Sequence, residues 1–130
     1  MIVVDASAVL EVLLRTRAAA AVEERVFDPG ETLHAPHLLD LEVAQVLRRY
    51  ATTGQVDPDR CRAALGDLAD FPLNRYPHDF ILPRVWELRA NLTAYDAAYV
   101  ALAEALDAPL LTRDKRLAAA PGHHARIELV

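Results

Sequence analysis

The sequence has little of what several classes of protein require. Its single cysteine, Cys61, cannot form a disulfide within the chain, and no Cys/His cluster with zinc spacing accompanies it. Four glycines are too few for the usual phosphate-binding loops. No apolar run reaches the roughly 18 residues of a membrane span, because acids and arginines interrupt every segment. These absences argue against a disulfide scaffold, a zinc cluster, a nucleotide cofactor and a membrane anchor.

The beginning of the sequence leaves no room for a secretion signal, since an apolar run at residues 2–4 leads directly to the carboxylate of Asp5. Together with the single cysteine, this predicts a reducing, cytoplasmic location. A chain of 130 residues, 53% of them hydrophobic, can bury one core and divides poorly into two. We therefore expect a single domain over residues 1–130.

The charge balance is acidic, with a formal net charge of -5, which argues weakly against a nucleic-acid binder. Lys115 is the only lysine among the 14 basic residues, and the others are arginines. The planar guanidinium of arginine binds phosphate or carboxylate with two hydrogen bonds. A general preference for arginine and alanine explains this bias better than selection for phosphate binding.

Short apolar runs alternate with longer segments of helical periodicity. We expect strands at residues 2–4, 33–35, 73–76, 110–112 and 126–129. Helices are expected at residues 8–14, from a cap at Thr16 to about 27, from Pro36 to 53, at 57–70, from near Pro83 to about 91, and from a cap at Thr93 to about 107. Such alternation predicts a three-layer α/β/α domain around a parallel sheet.

Four acids fall where an unpaired charge is unfavourable: Asp5, Glu42, Asp96 and Asp114. Asp5 and Asp114 follow predicted strands, so both belong at the carboxyl edge of the sheet, where ligands bind. Asp96 begins an almost wholly apolar helix whose dipole favours an anion there. Each could instead be an ordinary cap or surface acid, and periodicity alone does not choose between Glu42 and Asp40 on opposite flanks of one helix.

Four converging carboxylates would repel one another by roughly 3 kcal/mol per pair at about 5 Å and an effective dielectric near 20. Either some become protonated or a cation enters. Oxygen ligands without a nearby histidine or cysteine select a hard ion, Mg²⁺ or Mn²⁺. The five histidines are scattered over loops and helix starts, and we expect them to be structural or solvent-facing.

At this point the chain resembles PIN-domain ribonucleases, and among them the VapC toxins. The matching stretches are Val3-Val4-Asp5-Ala6-Ser7-Ala8, Leu41-Glu42-Val43 with Leu47-Arg48-Arg49, Leu92-Thr93-Ala94-Tyr95-Asp96-Ala97, and Leu110-Leu111-Thr112-Arg113-Asp114. The resemblance implies a parallel sheet of about five strands and a Mg²⁺ site, and it selects Glu42 over Asp40. It makes Asp5 and Asp96 the principal metal ligands, with Glu42 and Asp114 completing the pocket directly or through water.

Further expectations follow from the resemblance. Ser7 and Thr112 match hydroxyl positions beside the acids, although backbone capping explains them equally well. Because Lys115, Arg116 and Leu117 follow Asp114 where relatives sometimes carry another acid, a second metal would be weakly held. Hydrolysis would need no nucleophilic side chain: Glu42 or Asp114 could accept the proton of the attacking water, leaving a 5′-phosphate and a 3′-hydroxyl.

The resemblance also implies partners: an RNA substrate, an antitoxin whose basic tail enters the acidic pocket, and a second copy of the chain in a homodimer. A different class of function is a non-catalytic, receiver-like module that binds Mg²⁺, or a scaffold that only binds partners. A receiver would need a lysine opposite its phosphoacceptor aspartate, and the only lysine directly follows Asp114. The intact set of acids argues against a scaffold without activity.

Overall fold

Five parallel strands form the centre of the computed structural model, which describes residues 1–130. They are β1 (Ile2–Val4), β2 (Leu33–Pro36), β3 (Leu73–Tyr76), β4 (Leu110–Thr112) and β5 (Ile127–Leu129), in the order β3-β2-β1-β4-β5. Val3 at the centre of the sheet pairs with His34 on one side and Leu110 on the other. The predicted strand positions and the parallel sheet are confirmed.

Seven helices flank this sheet. They are α1 (Ala6–Leu13), α2 (Ala19–Val26), α3 (Leu38–Thr53), α4 (Pro58–Asp70), α5 (Leu82–Glu87), α6 (Ala94–Leu106) and α7 (Lys115–Ala119). Helix α1 contacts α2, α3 and α4, whereas α6 contacts α5 and the central strands. Right-handed crossovers place α1 to α4 on one face and α5 to α7 on the other, because the strand order reverses after β3. This is the expected three-layer α/β/α fold.

The core explains why the central strand and α6 carry almost no polar residue. All three residues of β1 are fully buried, as expected for a parallel strand covered on both faces. In α6, residues 97–103 form an uninterrupted buried stretch, and its four alanines let the helix lie close against the sheet. No helix of the chain is both long and apolar enough to cross a bilayer.

Two local predictions were wrong, and one short helix was not predicted. Thr16 does not cap α2, which begins at Ala19, because its hydroxyl hydrogen-bonds with Glu11 and its carbonyl accepts from the Ala19 amide. Pro36 ends β2 instead of opening α3, since the fixed φ of proline also suits an extended strand and its missing N–H is tolerated there. Helix α7, directly after Asp114, was not predicted because five residues are too few to show a helical period.

The helix predicted from Pro83 to about residue 91 is shorter than expected. A 3-10 turn at Asp79–Ile81 precedes α5, and α5 ends at Glu87. The other helix ends agree closely with the sequence: Gly54 ends α3 with a φ of 78°, and Thr93 caps α6 by accepting the Asp96 amide. The latter contact fixes where α6 starts and therefore where Asp96 lies.

Candidate active site

The candidate site lies at the carboxyl edge of the sheet, between β1 and β4. The chain continues from β1 into α1 on one face and from β4 into α7 on the other, which opens a crevice at this reversal of strand order. An open cleft of about 940 Å³ starts here. Its lining contains all four acids singled out in the sequence: Asp5, Glu42, Asp96 and Asp114.

Asp5 acts as a helix cap and lies in the cleft as well. Its Oδ1 accepts the Ala8 amide at 3.1 Å and the Ser7 hydroxyl at 2.6 Å, and its Oδ2 accepts the Thr112 hydroxyl. The side chain is only 6% exposed. Burial raises the pKa of Asp5 and the charge of Asp96 raises it further, while the three hydrogen bonds oppose the shift.

The hydroxyls of Ser7 and Thr112 connect the ends of β1 and β4. Thr112 is fully buried, and its oxygen accepts the Asp114 amide at 3.0 Å while its proton goes to Asp5. Ser7 likewise donates to Asp5 and accepts the Arg113 amide at 2.9 Å. Each hydroxyl therefore binds backbone and orients the Asp5 carboxylate at the same time, so both earlier interpretations of these residues describe real contacts.

Asp114 is the N-cap of α7. Its Oδ1 accepts the Arg116 amide at 2.8 Å and, more weakly, the Leu117 amide at 3.5 Å. The Arg116 guanidinium lies 3.7 Å from Oδ2. The simpler interpretation of this acid, a cap after a strand, is correct, although its carboxylate also lines the cleft.

Glu42 projects from α3 and accepts a hydrogen bond from the Tyr99 hydroxyl on α6 at 2.6 Å. Burial raises the pKa of Glu42, the charges of Asp96 and Asp5 add to the shift, and the Tyr99 hydrogen bond opposes it. Asp40, the alternative on the same helix, forms an ion pair with Arg75 at 2.8 Å and does not line the cleft. The structure therefore places Glu42, and not Asp40, with the other acids.

Tyr99 is a site residue that the sequence analysis missed. It is 2% exposed, and burial followed by the charge of Glu42 strongly raises the pKa of its phenol, so it remains a hydrogen-bond donor. Its spacing of three residues from Asp96 places both on one side of α6. That spacing was the available signal, but an aromatic residue in an apolar helix is more often part of the core.

Asp96 is the least restrained of the four acids. Its backbone amide donates to the Thr93 hydroxyl, and its carboxylate has no ion-pair partner. Burial raises the pKa of Asp96 and the charge of Asp114 adds to the shift, while the Thr93 hydroxyl and the charge of Arg116 oppose it. With fewer restraints than Asp5 or Asp114, this carboxylate is the one most open to an external ligand.

Of the four candidate acids in the cleft, only Asp114 has an ion-pair partner, Arg116. No arginine or lysine forms an ion pair with Asp5, Glu42 or Asp96. No three acid, histidine or cysteine side chains stand close enough to bind one ion together. Mg²⁺ commonly retains several waters and uses one or two carboxylates, so this all-oxygen donor set suits a hydrated, hard divalent cation.

Other candidate groups lie outside the cleft. None of the five histidines lines it; buried His34 hydrogen-bonds with Thr32 and Tyr76, and His78 accepts the Leu38 amide. Lys115 is exposed and also lies outside the lining, so the cleft has no lysine opposite an aspartate as a receiver requires. The fold and the site together suit the class of enzymes whose carboxylates hold a hydrated divalent cation.

Comparison with known proteins agrees with this class. The chain belongs to the PIN domain family, whose model matches residues 2–122, and within it to the VapC ribonucleases. It is 48% identical over 129 residues to Ribonuclease VapC1 of Mycobacterium tuberculosis, an alignment that covers 98% of this chain and 96% of the relative. The resemblance seen in the sequence is thereby confirmed.

Two solved structures share the fold. One is PAE2754 from Pyrobaculum aerophilum, with a TM-score of 0.70 and 29% identity, covering 97% of this chain and 81% of that chain. The other belongs to VapBC2 from Rickettsia felis, solved bound to a DNA fragment from its promoter. It has a TM-score of 0.73 at 13% identity and covers 99% of this chain and 98% of that chain, which shows a common fold.

Proposed function

We propose that this chain is an endoribonuclease that hydrolyses RNA phosphodiester bonds with a divalent cation, as the toxin of a VapBC-type toxin–antitoxin pair. One observation carries the proposal: four carboxylates from separate segments line one cleft, and three of them have no ion-pair partner. The kinship with VapC ribonucleases supports RNA as the substrate. The whole of residues 1–130 acts as one PIN-like domain.

The four acids have distinct roles in this proposal. Asp5 and Asp96 are the principal ligands of the cation, which we take to be Mg²⁺, with Mn²⁺ as a substitute. Asp5 is held rigidly by its hydrogen bonds, while Asp96 is restrained less and has no ion-pair partner. Glu42 and Asp114 complete the acidic pocket directly or through water. The cap contacts of Asp114 and the nearby Arg116 make it the weaker contributor.

The chemistry is hydrolysis by water. A divalent cation in the site would lower the pKa of a water and neutralise negative charge on the phosphodiester as it is attacked. Glu42 accepts the proton of that water, because one of its oxygens is oriented by Tyr99 and the other is free. The new bond joins water oxygen to phosphorus, and the bond to the 3′-oxygen breaks. The products are a 5′-phosphate and a 3′-hydroxyl.

The partners follow from the same charge distribution. A VapB-like antitoxin would inhibit the enzyme by inserting a basic side chain of its tail among the carboxylates. The active enzyme is a homodimer located in the cytoplasm. VapBC complexes among the structural neighbours support an antitoxin partner.

Metal dependence and product chemistry test the proposed function. Purified chain is incubated with total RNA in EDTA, Mg²⁺ or Mn²⁺, beside the variants Asp96→Asn and Asp67→Asn. Asp67 is an exposed acid of α4 outside the cleft and serves as the matched control. We expect cleavage only with a cation, no cleavage by Asp96→Asn, normal cleavage by Asp67→Asn and 5′-phosphate ends. Undiminished cleavage in EDTA, or 2′,3′-cyclic phosphate ends, would rule out this mechanism.

A further inference from the structure

Groups of opposite charge line the cleft. Glu42 lies near the start of α3 with the other carboxylates around it, whereas Arg48 and Arg49 lie further along the same helix and line the cleft as well. Residues 42, 45, 46 and 49 follow one another at the i, i+3, i+4, i+7 spacing of a single helix face, and all four line the cleft. Glu42 and Arg49 therefore project into the same cleft from the same side of α3.

These two arginines have no partner within the protein. Neither side chain forms an ion pair or donates a hydrogen bond, whereas most of the other arginines do one or both. The Arg49 guanidinium lies 5.7 Å from the centre of the Tyr50 ring, a weak contact that leaves its N–H groups free. Both are exposed and available to an external anion.

The distance between Glu42 and Arg49 along α3 is comparable with the spacing of phosphates in a nucleic-acid strand. Glu42 and Arg49 are seven residues apart on a straight helix, which separates their backbone positions by about 10.5 Å. Phosphates follow one another at about 3.4 Å of axis along one strand of a duplex and lie further apart in an extended strand. The distance along α3 therefore corresponds to roughly one to three nucleotides.

We propose that Arg48 and Arg49 bind an RNA backbone phosphate one to three nucleotides from the bond that is cut, with Arg49 as the principal contact. This inference rests on the proposed function and deepens it. The carboxylates repel the phosphate that is cut unless a cation lies between them. A neighbouring phosphate bound by the guanidinium groups would position the strand independently of the metal. Both arginines are positioning residues, because they lie away from the reacting atoms.

Binding without cleavage provides the first test. Fluorescence anisotropy measures the affinity of an Asp96→Asn chain for a fluorescein-labelled single-stranded RNA of about 12 nucleotides, over a range of salt concentrations. Adding Arg49→Ala should weaken binding about tenfold and reduce the slope of log affinity against log salt by about 0.7, the value for one lost contact to a single strand. The double variant Arg48→Ala, Arg49→Ala should weaken it further.

Arg62→Ala is the matched control. Arg62 is exposed on α4, lies outside the cleft and has no ion-pair or hydrogen-bond partner, so its loss changes the net charge equally. It should leave affinity and slope nearly unchanged. Equal weakening by Arg62→Ala and Arg49→Ala would overturn the proposal, since only overall charge would then matter. No effect of Arg49→Ala would overturn it as well.

Substrate modification gives the second test and identifies the phosphate. In an RNA oligonucleotide that the active chain cuts at one bond, each phosphate within about three nucleotides of that bond is replaced in turn by a neutral methylphosphonate. At one position the replacement should lower kcat/KM about tenfold for the unmodified protein and hardly at all for Arg49→Ala. Equal losses in both proteins at every position would refute the proposed contact.

The two tests separate this inference from the proposed function. If the unmodified chain cuts no RNA with any divalent cation, the proposed function fails, whatever the anisotropy shows. If it cuts RNA but Arg49→Ala cuts and binds as well as Arg62→Ala, only the phosphate contact fails. An Arg49→Ala chain that binds RNA normally but loses affinity for an acidic peptide would assign these arginines to a protein partner and contradict the proposal.

Discussion

Replacing Asp96 by asparagine should stabilise the metal-free protein while abolishing RNA cleavage. The Asp96 carboxylate has no ion-pair partner and shares the cleft with the three other candidate acids, and only the Thr93 hydroxyl and the charge of Arg116 favour its ionised form. Burial raises its pKa and the charge of Asp114 adds to the shift, so the folded state disfavours the ionised form. Asparagine has nearly the same shape without the charge, and its side-chain oxygen can still accept from Thr93. The relief of repulsion therefore outweighs the lost interaction of the charge with the N-terminus of α6.

The expected gain can be worked out from simple electrostatics. Two unit charges about 7 Å apart repel by roughly 2 kcal/mol at an effective dielectric near 20. Because Asp96 is only partly buried, solvent screening reduces the net gain to about 1 kcal/mol. For a domain of this length, that raises the melting temperature by about 4 °C. Asp5→Asn should gain less, because the Thr112 hydroxyl loses its carboxylate acceptor.

Thermal melting in EDTA and in Mg²⁺ is the assay, with Asp67→Asn as the control for loss of an exposed acid. At about a hundred times its Kd, the cation should stabilise the unmodified chain by about 2.7 kcal/mol and Asp96→Asn by at least about 1.3 kcal/mol less, so the order of stability reverses. A melting temperature several degrees lower for Asp96→Asn in both conditions would show that this carboxylate is structural, and the reasoning would fail.

Three further predictions concern the surroundings of the acids. Tyr99→Phe should lower the cleavage rate several-fold and stability by about 1 kcal/mol, because Glu42 loses its hydrogen-bond donor; steady-state kinetics and melting measure both. Thr112→Val should cost about 2 kcal/mol, since buried Asp5 and the partly buried Asp114 amide both lose a partner, whereas Thr112→Ser should retain most of the stability. Association with the cognate antitoxin should slow as ionic strength rises, and replacing the basic residue in its tail by alanine should restore RNA cleavage; salt-independent affinity would point to inhibition elsewhere.

The strands and long helices were predictable because each carries its own local signal. The β1 run of Ile2, Val3 and Val4 is apolar throughout, and α6 has an explicit cap at Thr93. Short connections lack such signals. The turn that replaced the Thr16 cap depends on where Glu11 lies in space, and the start of α3 depends on strand pairing between Pro36 and Tyr76.

The site was predictable at the level of residues and only partly at the level of contacts. Carboxylates after strands and at helix starts are visible in a sequence, so Asp5, Asp96 and Asp114 were found. The choice of Glu42 needed the family resemblance, because Asp40 fits the helical pattern equally well. The Tyr99 contact joins residues 57 positions apart on two helices, and no local pattern encodes it. The separation of acids and arginines within one cleft likewise appears only in three dimensions.

The tightly packed helix α6 has a consequence for genetics. Asp96 and Tyr99 belong to the same helix as Ala101 and Ala103, which are almost completely buried. A larger side chain at one of these positions would shift α6 by a fraction of an ångström and would lower the stability of the fold by about 1–3 kcal/mol. Both site residues would move together with the helix. A screen for cells that survive expression of the toxin would therefore recover substitutions along the buried side of α6. These residues contact neither RNA nor metal. If such substitutions were mapped onto the sequence alone, the active site would be judged larger than it is.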